Sequence, residues 1–204
     1  VIQRVYIFRH GQTDWNAEGR FQGHIDVPLN DTGREQAAGL IPQLSGRGVR
    51  GIISSDLSRA RETAQIVAAG LGVPVFTDHG LREAHLGRAQ GLTTEEIAAQ
   101  FGEKLLSRWR SGDVTDADVA YPDGESGKHV VERSVGAIER FLDAHTDWEC
   151  LAVSTHGGVI RRLMQKILPP ESPAVRIPNC VVYEIHFDRA RRAWSAAPIE
   201  GQGV

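Results

Sequence analysis

Two short segments concentrate the residues able to do chemistry. Val5-Tyr6-Ile7-Phe8 is an apolar, β-branched and aromatic run that stops at Arg9-His10-Gly11-Gln12-Thr13. Cys150-Leu151-Ala152-Val153-Ser154 stops in the same way at Thr155-His156-Gly157-Gly158. Each apolar run reads as a buried strand. Each therefore delivers an imidazole to the carboxyl end of a strand, where open α/β sheets bind ligands. An imidazole offers a lone pair near neutral pH without a costly deprotonation, so it is a candidate nucleophile. Arg9 adds a planar fork of donors suited to a phosphate. A helix starting just after His156 would turn backbone N–H groups toward an anion. A single loop histidine is ordinary, whereas two strand-end His-Gly pairs in one chain are not.

The elements that must position these groups follow from the pattern around them. After the first strand, residues 11–30 read as a long polar loop, a length that often marks function. A helix opens at Asp31, with Asn30 or Thr32 as cap and Pro42 weakening its end. Gly51 to Asp56 reads as a short strand, Leu57 to Gly70 as a helix, and Gly72 to Phe76 as a strand that Pro74 places at an edge. This alternation predicts an α/β fold: three layers, α/β/α, around a mostly parallel central sheet. Further on, Glu95 to Arg110 is helical with a break near Gly102, Thr93 or Thr94 with Glu96 marking its start. Ser111 to Gly127 is an irregular excursion, and Ser126 to His145 a long helix. Val159 to Leu168 is a helix closed by Pro169-Pro170. Asn179 to Phe187 and Ala193 to Ile199 read as a hairpin. The expectation is one domain over residues 1–204, with an irregular cap-like insertion at about 84–127.

Composition excludes several function classes. The chain has 204 residues, 41% hydrophobic and 24% charged, with net charge −3. That is an ordinary globular balance, with no electrostatic footprint for nucleic acid or an anionic membrane. The two cysteines, Cys150 and Cys180, sit in apolar stretches that read as strands, and buried free thiols are expected. No ligand spacing for a structural zinc appears. The acidic run from Asp113 to Asp123 lacks the order of a calcium loop and reads as a solvated loop. No metal and no cofactor are expected. The chain enters a strand directly, with no basic segment ahead of an apolar one and no apolar run of about 18 residues. A cytoplasmic protein is the expectation. Oligomeric state is open between monomer and homodimer.

Arg9-His10-Gly11-Gln12-Thr13 with Asn16 resembles the signature of the histidine phosphatase superfamily, the phosphoglycerate mutase-like proteins. Three further blocks extend the resemblance in the family's order. Ser55 to Ala64 is similar to its S-x-L-x-R-A-x-x-T-A block, Leu81-Arg82-Glu83 to its L-x-E block, and Val153 to Arg162 to the block around its second histidine. The resemblance implies the phosphoglycerate mutase-like fold and a histidine acid phosphatase-type phosphoric monoester hydrolase. It implies that His10 becomes phosphorylated, that Arg9, Arg59 and His156 hold the phosphoryl oxygens, and that Glu83 is the acid/base. Phosphoryl transfer needs such parts: an in-line nucleophile, positive charge on the equatorial oxygens, and a proton for the leaving oxygen. Gly11, Thr13, Asn16, Gln22, Gly23 and Gly157 are family-like positions for phosphate or substrate. For Thr13, Asn16, Gln22 and Gly23, plain turn-forming polarity carries equal weight. Trp15 and Phe21 stand between pocket wall and packing, and His85 between pocket wall and surface. Arg82 reads as structural or rim, and Arg61 as a solvated charge.

The same resemblance separates two branches. Family mutases carry a Tyr after the acid/base, then a Lys and an Arg-Arg pair, and an Asn after the second histidine. Here Leu86 stands where the Tyr would be, no Lys follows before Lys104, Trp109-Arg110-Ser111 has one Arg, and Gly158 replaces the Asn. These departures point to a metal-independent phosphomonoesterase acting on a small phosphorylated metabolite. A cofactor-dependent phosphoglycerate mutase is the alternative, a non-catalytic phosphate-binding protein a weaker one, and a phosphoprotein a second substrate class. Lys104, Arg108, Arg110 and Lys128 read as surface charges that would otherwise attract a second anion.

Overall fold

The computed structural model describes residues 1–111, 116–169, 171–172 and 174–196. The chain runs β1 (Ile2–Arg9), α1 (Asp14–Ala17), α2 (Asp31–Ala38), α3 (Leu40–Leu44), β2 (Ile52–Ser54), α4 (Ser58–Leu71) and β3 (Val75–Thr77). It continues through α5 (Thr94–Phe101), α6 (Glu103–Ser111), α7 (Gly127–Ala144), β4 (Cys150–Thr155), α8 (Gly157–Ile167), β5 (Val182–Asp188) and β6 (Ala193–Ala196). The six strands form one sheet in the order β3-β2-β4-β1-β5-β6. β1, β2, β3 and β4 are parallel, and β5 and β6 join antiparallel. The fold class is the expected one, with helices covering both faces of the sheet.

The register decides where the chemistry sits. Arg9 pairs with Thr155, and Ser54 pairs with Ser154. The carboxyl ends of β1, β2 and β4 therefore finish level, and His10, Ser55 and His156 follow them side by side. The strands bury both faces. Val5, Ile7, Leu151 and Val153 pack on one side against Ile138 and Leu142 of α7 and Ile160 and Leu163 of α8. Tyr6, Phe8 and Ala152 pack on the other against Leu40 of α3 and Ala64 and Val67 of α4. Burying a residue such as Phe8 contributes about 2–3 kcal/mol, so a shift of one strand would expose several such side chains.

A third apolar cluster lies away from the sheet. Ala84, Leu86, Ile97, Leu106, Trp109, Val119 and Tyr121 pack together and onto Val130 and Val159. The acidic run is thus more than a solvated loop. Its apolar residues Val119 and Tyr121 are buried, and Asp116 bonds to Arg108 and Ser111. Asp113 lies outside the described residues.

Other expectations shift locally. The helix opening at Asp31 splits at Gly39, so Pro42 sits inside the short α3 instead of kinking a long helix. The polar loop 11–30 contains α1, fixed by a reciprocal cap between Thr13 and Asn16. The break near Gly102 falls where expected, between α5 and α6. β3 starts after Pro74, at the sheet edge. Cys180 is not in a strand: its φ is 56° and β5 starts only at Val182. Both thiols are free, Cys150 buried and Cys180 half-buried. The end of the last expected strand, beyond Ala196, lies outside the described residues. Among the described residues, no helix is long and apolar enough to cross a membrane.

Candidate active site

The level strand ends open into a cavity of about 350 Å³. Arg9, His10, Arg59, Glu83, Gly157 and Gly158 line its inner part. His10 is 3% exposed and its ring centroid lies 5.1 Å from that of His156. The Nδ1 atom of His10 is 2.7 Å from the Gly11 carbonyl oxygen. A carbonyl only accepts, so Nδ1 carries the proton. Burial pushes the imidazole well below its ordinary value of 6.5, and the charges of Arg59 and Arg9 push it further. The ring is therefore neutral near pH 7, with a lone pair on Nε2. That is the state a nitrogen nucleophile requires.

The loop carrying His10 is held from several sides. The Gly11 N–H donates to Thr63 of α4, and the Asn179 side chain donates to the His10 carbonyl and to Asn16. A Cβ at Gly11 would stand 2.2 Å from the Gly33 carbonyl oxygen, so the loop rests directly on α2. Gly11 and Thr13 are not among the cavity-lining residues. They shape the turn, Thr13 as the buried cap of α1. Asn16, Phe21, Gln22 and Gly23 do line the cavity. Trp15 does not; it approaches Gly91 instead.

Two guanidiniums are fixed by backbone carbonyls. Arg9 Nη1 donates to Ile177, and Arg59 donates to Ile25 and Gly23 through its two terminal nitrogens. Both Nε atoms are buried without a partner. Burial lowers both values, that of Arg59 to about 10, which leaves Arg59 charged near pH 7. His156 is fully buried, and its Nε2 lies 2.8 Å from Ser55 Oγ. The Leu57 N–H already occupies one lone pair of that oxygen. The hydroxyl has one proton and one further lone pair for Nε2; when it donates, a neutral His156 carries its own proton on Nδ1. Burial, reinforced by Arg59, keeps this ring neutral too. Nδ1 is buried and unpartnered. Among the described residues, the Nε atoms of Arg9 and Arg59 and the Nδ1 of His156 have no partner, an expensive arrangement unless an anion satisfies them.

Glu83 faces this cluster from a loop. Its carboxylate accepts from the Ala84 and Gly158 N–H groups at 2.9 and 2.8 Å. A Cβ at position 158 would stand 2.2 Å from Glu83 Oε1, so only glycine lets the carboxylate rest on the first turn of α8. The loop itself is gripped by residues that sequence reasoning passed over. Arg133 of α7 donates to the carbonyls of Gly80, Arg82 and Glu83 and is held by Glu125, while His24 bonds to the Glu83 carbonyl. Arg82 pairs with Asp56, the structural role expected of it. His85 is neither wall nor free surface: its ring packs edge-on to His24 and its Nδ1 accepts from Gly87. Arg61 is exposed, as expected.

The outer cavity is lined by Arg20, Leu86, Trp109, Arg110, Arg161 and Arg162. Arg110 is exposed yet borders the cavity over the Phe21 ring, so it is more than a surface charge. Lys104 and Lys128 are exposed and do not line it, and Arg108 is engaged by Asp116. Arg161 and Arg162 gave no signal in the sequence, because basic residues on a helix usually face solvent.

A neutral imidazole with a free lone pair, a carboxylate and two guanidiniums thus line one cavity, the parts that phosphoryl transfer calls for. The chain matches the histidine phosphatase superfamily (branch 1) over residues 5–197. It belongs to that superfamily. It is 42% identical over 180 residues to phosphoglycerate mutase-like protein 4 of Arabidopsis thaliana, covering 87% of this chain and 76% of that one. It is 39% identical over 174 residues to a glucosyl-3-phosphoglycerate phosphatase of Mycolicibacterium vanbaalenii, covering 82% and 75%. A solved mycobacterial glucosyl-3-phosphoglycerate phosphatase in complex with VO3 superposes with a TM-score of 0.82 at 31% identity, covering 95% of this chain and 97% of that one.

Proposed function

We propose that this protein is a metal-independent phosphomonoesterase of the histidine acid phosphatase type, working through a phosphohistidine on His10. The observation that carries the reading is the Nδ1–H bond to the Gly11 carbonyl, which leaves Nε2 of a neutral ring as the free lone pair. Nε2 attacks phosphorus in line as the P–O bond to the alcohol breaks, and protonated Glu83 gives its proton to the departing oxygen. Water then attacks the phosphohistidine, Glu83 takes its proton, and the P–N bond breaks to release phosphate. Arg9, Arg59 and His156 bind the equatorial oxygens in both steps. Because they are held before substrate arrives, they stabilise the charge with little reorganisation.

The segment at about 84–127 acts in this proposal as the cap that selects the leaving group. Two free cysteines are in keeping with a reducing, cytoplasmic setting. The test is phosphate release from aryl, sugar and glycerate phosphates in EDTA. Release persists in EDTA and falls by about 10⁴-fold or more in His10→Ala. Equal release from the variant would overturn the assignment.

A phosphoglycerate mutase is the second reading, favoured by the name of the Arabidopsis relative. Against it, Leu86 puts an apolar side chain in the cavity where mutases of the family carry a Tyr. Isomerisation of 3-phosphoglycerate faster than its hydrolysis would decide for the mutase.

A further inference from the structure

Glu83 stands in residues 82–86, which belong to no helix or strand, yet an acid must hold its carboxyl in one place. Of its two side-chain bonds, the one from the Ala84 N–H is internal to the loop and moves with it. Among the described residues, only the Gly158 N–H ties the carboxyl to another element. That tie is weakest when the acid is ready to act, because a protonated carboxyl accepts less strongly than a carboxylate. The backbone must then hold the position.

Side chains hold that backbone. Four consecutive carbonyls accept from them: Gly80 and Arg82 from Arg133 Nη1 at 2.8 and 2.7 Å, Leu81 from Thr155 Oγ1 at 2.8 Å, and Glu83 from Arg133 Nη2 at 2.8 Å. His24 Nε2 adds a second bond to the Glu83 carbonyl at 2.8 Å.

Arg133 is the centre of the clamp. A guanidinium has five N–H donors. Here three meet the loop carbonyls, and two meet Glu125, Nε on Oε1 at 2.7 Å and Nη2 on Oε2 at 2.8 Å. The two side chains are 17% and 9% exposed. Burial raises the Glu125 carboxyl, but the Arg133 bonds outweigh it and leave the group below its ordinary value. Glu125 also holds the chain beyond the acid. Its Oε2 accepts from the His85 N–H at 3.2 Å, and its own N–H donates to the His85 carbonyl at 2.7 Å. One ion pair thus grips the chain on both sides of Glu83. It ties the loop to α7, whose Ile138 and Leu142 pack in the sheet core. A buried ion pair adds little net stability over apolar side chains of similar volume, so the ordering of this loop is its larger effect.

We propose that Arg133, held by Glu125, is a positioning residue for Glu83, its fork fixing the backbone around the acid so that the carboxyl stands at the leaving oxygen. This rests on the reading of Glu83 as the acid of a phosphomonoesterase. A displacement of about 1 Å can cost a reaction about 10²-fold, and only the step that uses the acid feels it.

The test compares kcat/KM for an alkyl ester, glycerol 3-phosphate, with that for an aryl phosphate, whose leaving group needs no proton. kcat/KM ends at departure of the alcohol and leaves out water attack. Arg133→Gln lowers the alkyl value about 10- to 100-fold and the aryl value less than about threefold. The preserved aryl value also shows that the variant folds. Arg133→Lys keeps the charge without the fork, and its alkyl loss matches that of Arg133→Gln. Glu125→Gln loosens the fork by a second route, should Arg133→Gln misfold, and gives the same split on a smaller scale. Equal losses on both esters in the Arg133 and Glu125 variants, no loss in any of them, or full recovery of the alkyl value in Arg133→Lys would overturn the proposal. Glu83→Gln is run alongside. If it lacks the split, the acid reading falls and the clamp with it; if it shows the split and the other variants do not, only the clamp falls.

Discussion

The two ends of the cavity are built on different physical terms. At the inner end, guanidiniums and imidazoles are fixed by hydrogen bonds to backbone carbonyls and to Ser55, at the level ends of β1, β2 and β4. At the outer end, two cations lie over aromatic rings, Arg162 on Trp109 and Arg110 over Phe21, Arg110 also donates to Thr94, and Arg20 pairs with Glu18 and Glu96. The sheet register cannot change without exposing the core, so the inner geometry is imposed by the fold. The outer geometry depends on the apolar cluster beneath residues 84–130, which is separate from the sheet core.

The largest effect that would break this contrast is expected at Glu83. Glu83→Gln keeps the Gly158 contact but has no proton to give as an acid. The phosphorylation step, read as the pre-steady-state burst, should slow by about 10²- to 10⁴-fold for alkyl phosphates, and for an aryl phosphate, whose leaving group needs no proton, by much less. Equal losses on both substrates would remove Glu83 from the acid role.

A smaller effect sharpens the account of the inner end. Ser55→Ala removes the group that assigns the His156 proton to Nδ1. kcat/KM should fall about three- to tenfold, the scale of one hydrogen bond. Nitrogen NMR of His156 should show Nδ1–H in the wild type and a tautomer mixture in the variant. An unchanged tautomer would show that Ser55 does not set it.

What was legible in the sequence follows the same division. The strand ending at His10 and the one ending at His156 could be read because an apolar run followed by His-Gly fixes both burial and position. Arg59 and Glu83 could be placed through the blocks around them, and the alternation of elements gave the parallel sheet. The burial of Arg162 was not legible, since it depends on Trp109 and Gly127, which meet it only in the folded chain. Thr13 illustrates the converse: a family-like polar residue whose side chain is spent capping α1. Cys180 looked like part of a strand because its neighbours Val181 and Val182 are apolar, yet the backbone must turn there for Asn179 to reach His10. Such turns follow from long-range contacts, which periodicity does not report.

The remaining effect is on stability. His10 and His156 are held neutral, both below the ordinary value of 6.5. Below pH 6.5 the unfolded chain takes up protons that the folded chain refuses, so stability is fully present above 6.5 and is lost as pH falls. The two groups together cost up to about 2.7 kcal/mol per pH unit over that window. Urea midpoints measured from pH 8 to 5 should fall below 6.5, and His10→Gln should flatten that fall. A midpoint that rises on acidification would contradict the neutral-histidine description.

The most direct test is to quench the enzyme during turnover of a labelled aryl phosphate under alkaline conditions and map the modified residue. The account predicts acid-labile phosphate on Nε2 of His10, absent from His10→Ala and accumulating when water attack is slowed. Phosphate on Nδ1, on His156, or on no residue while turnover proceeds would contradict it.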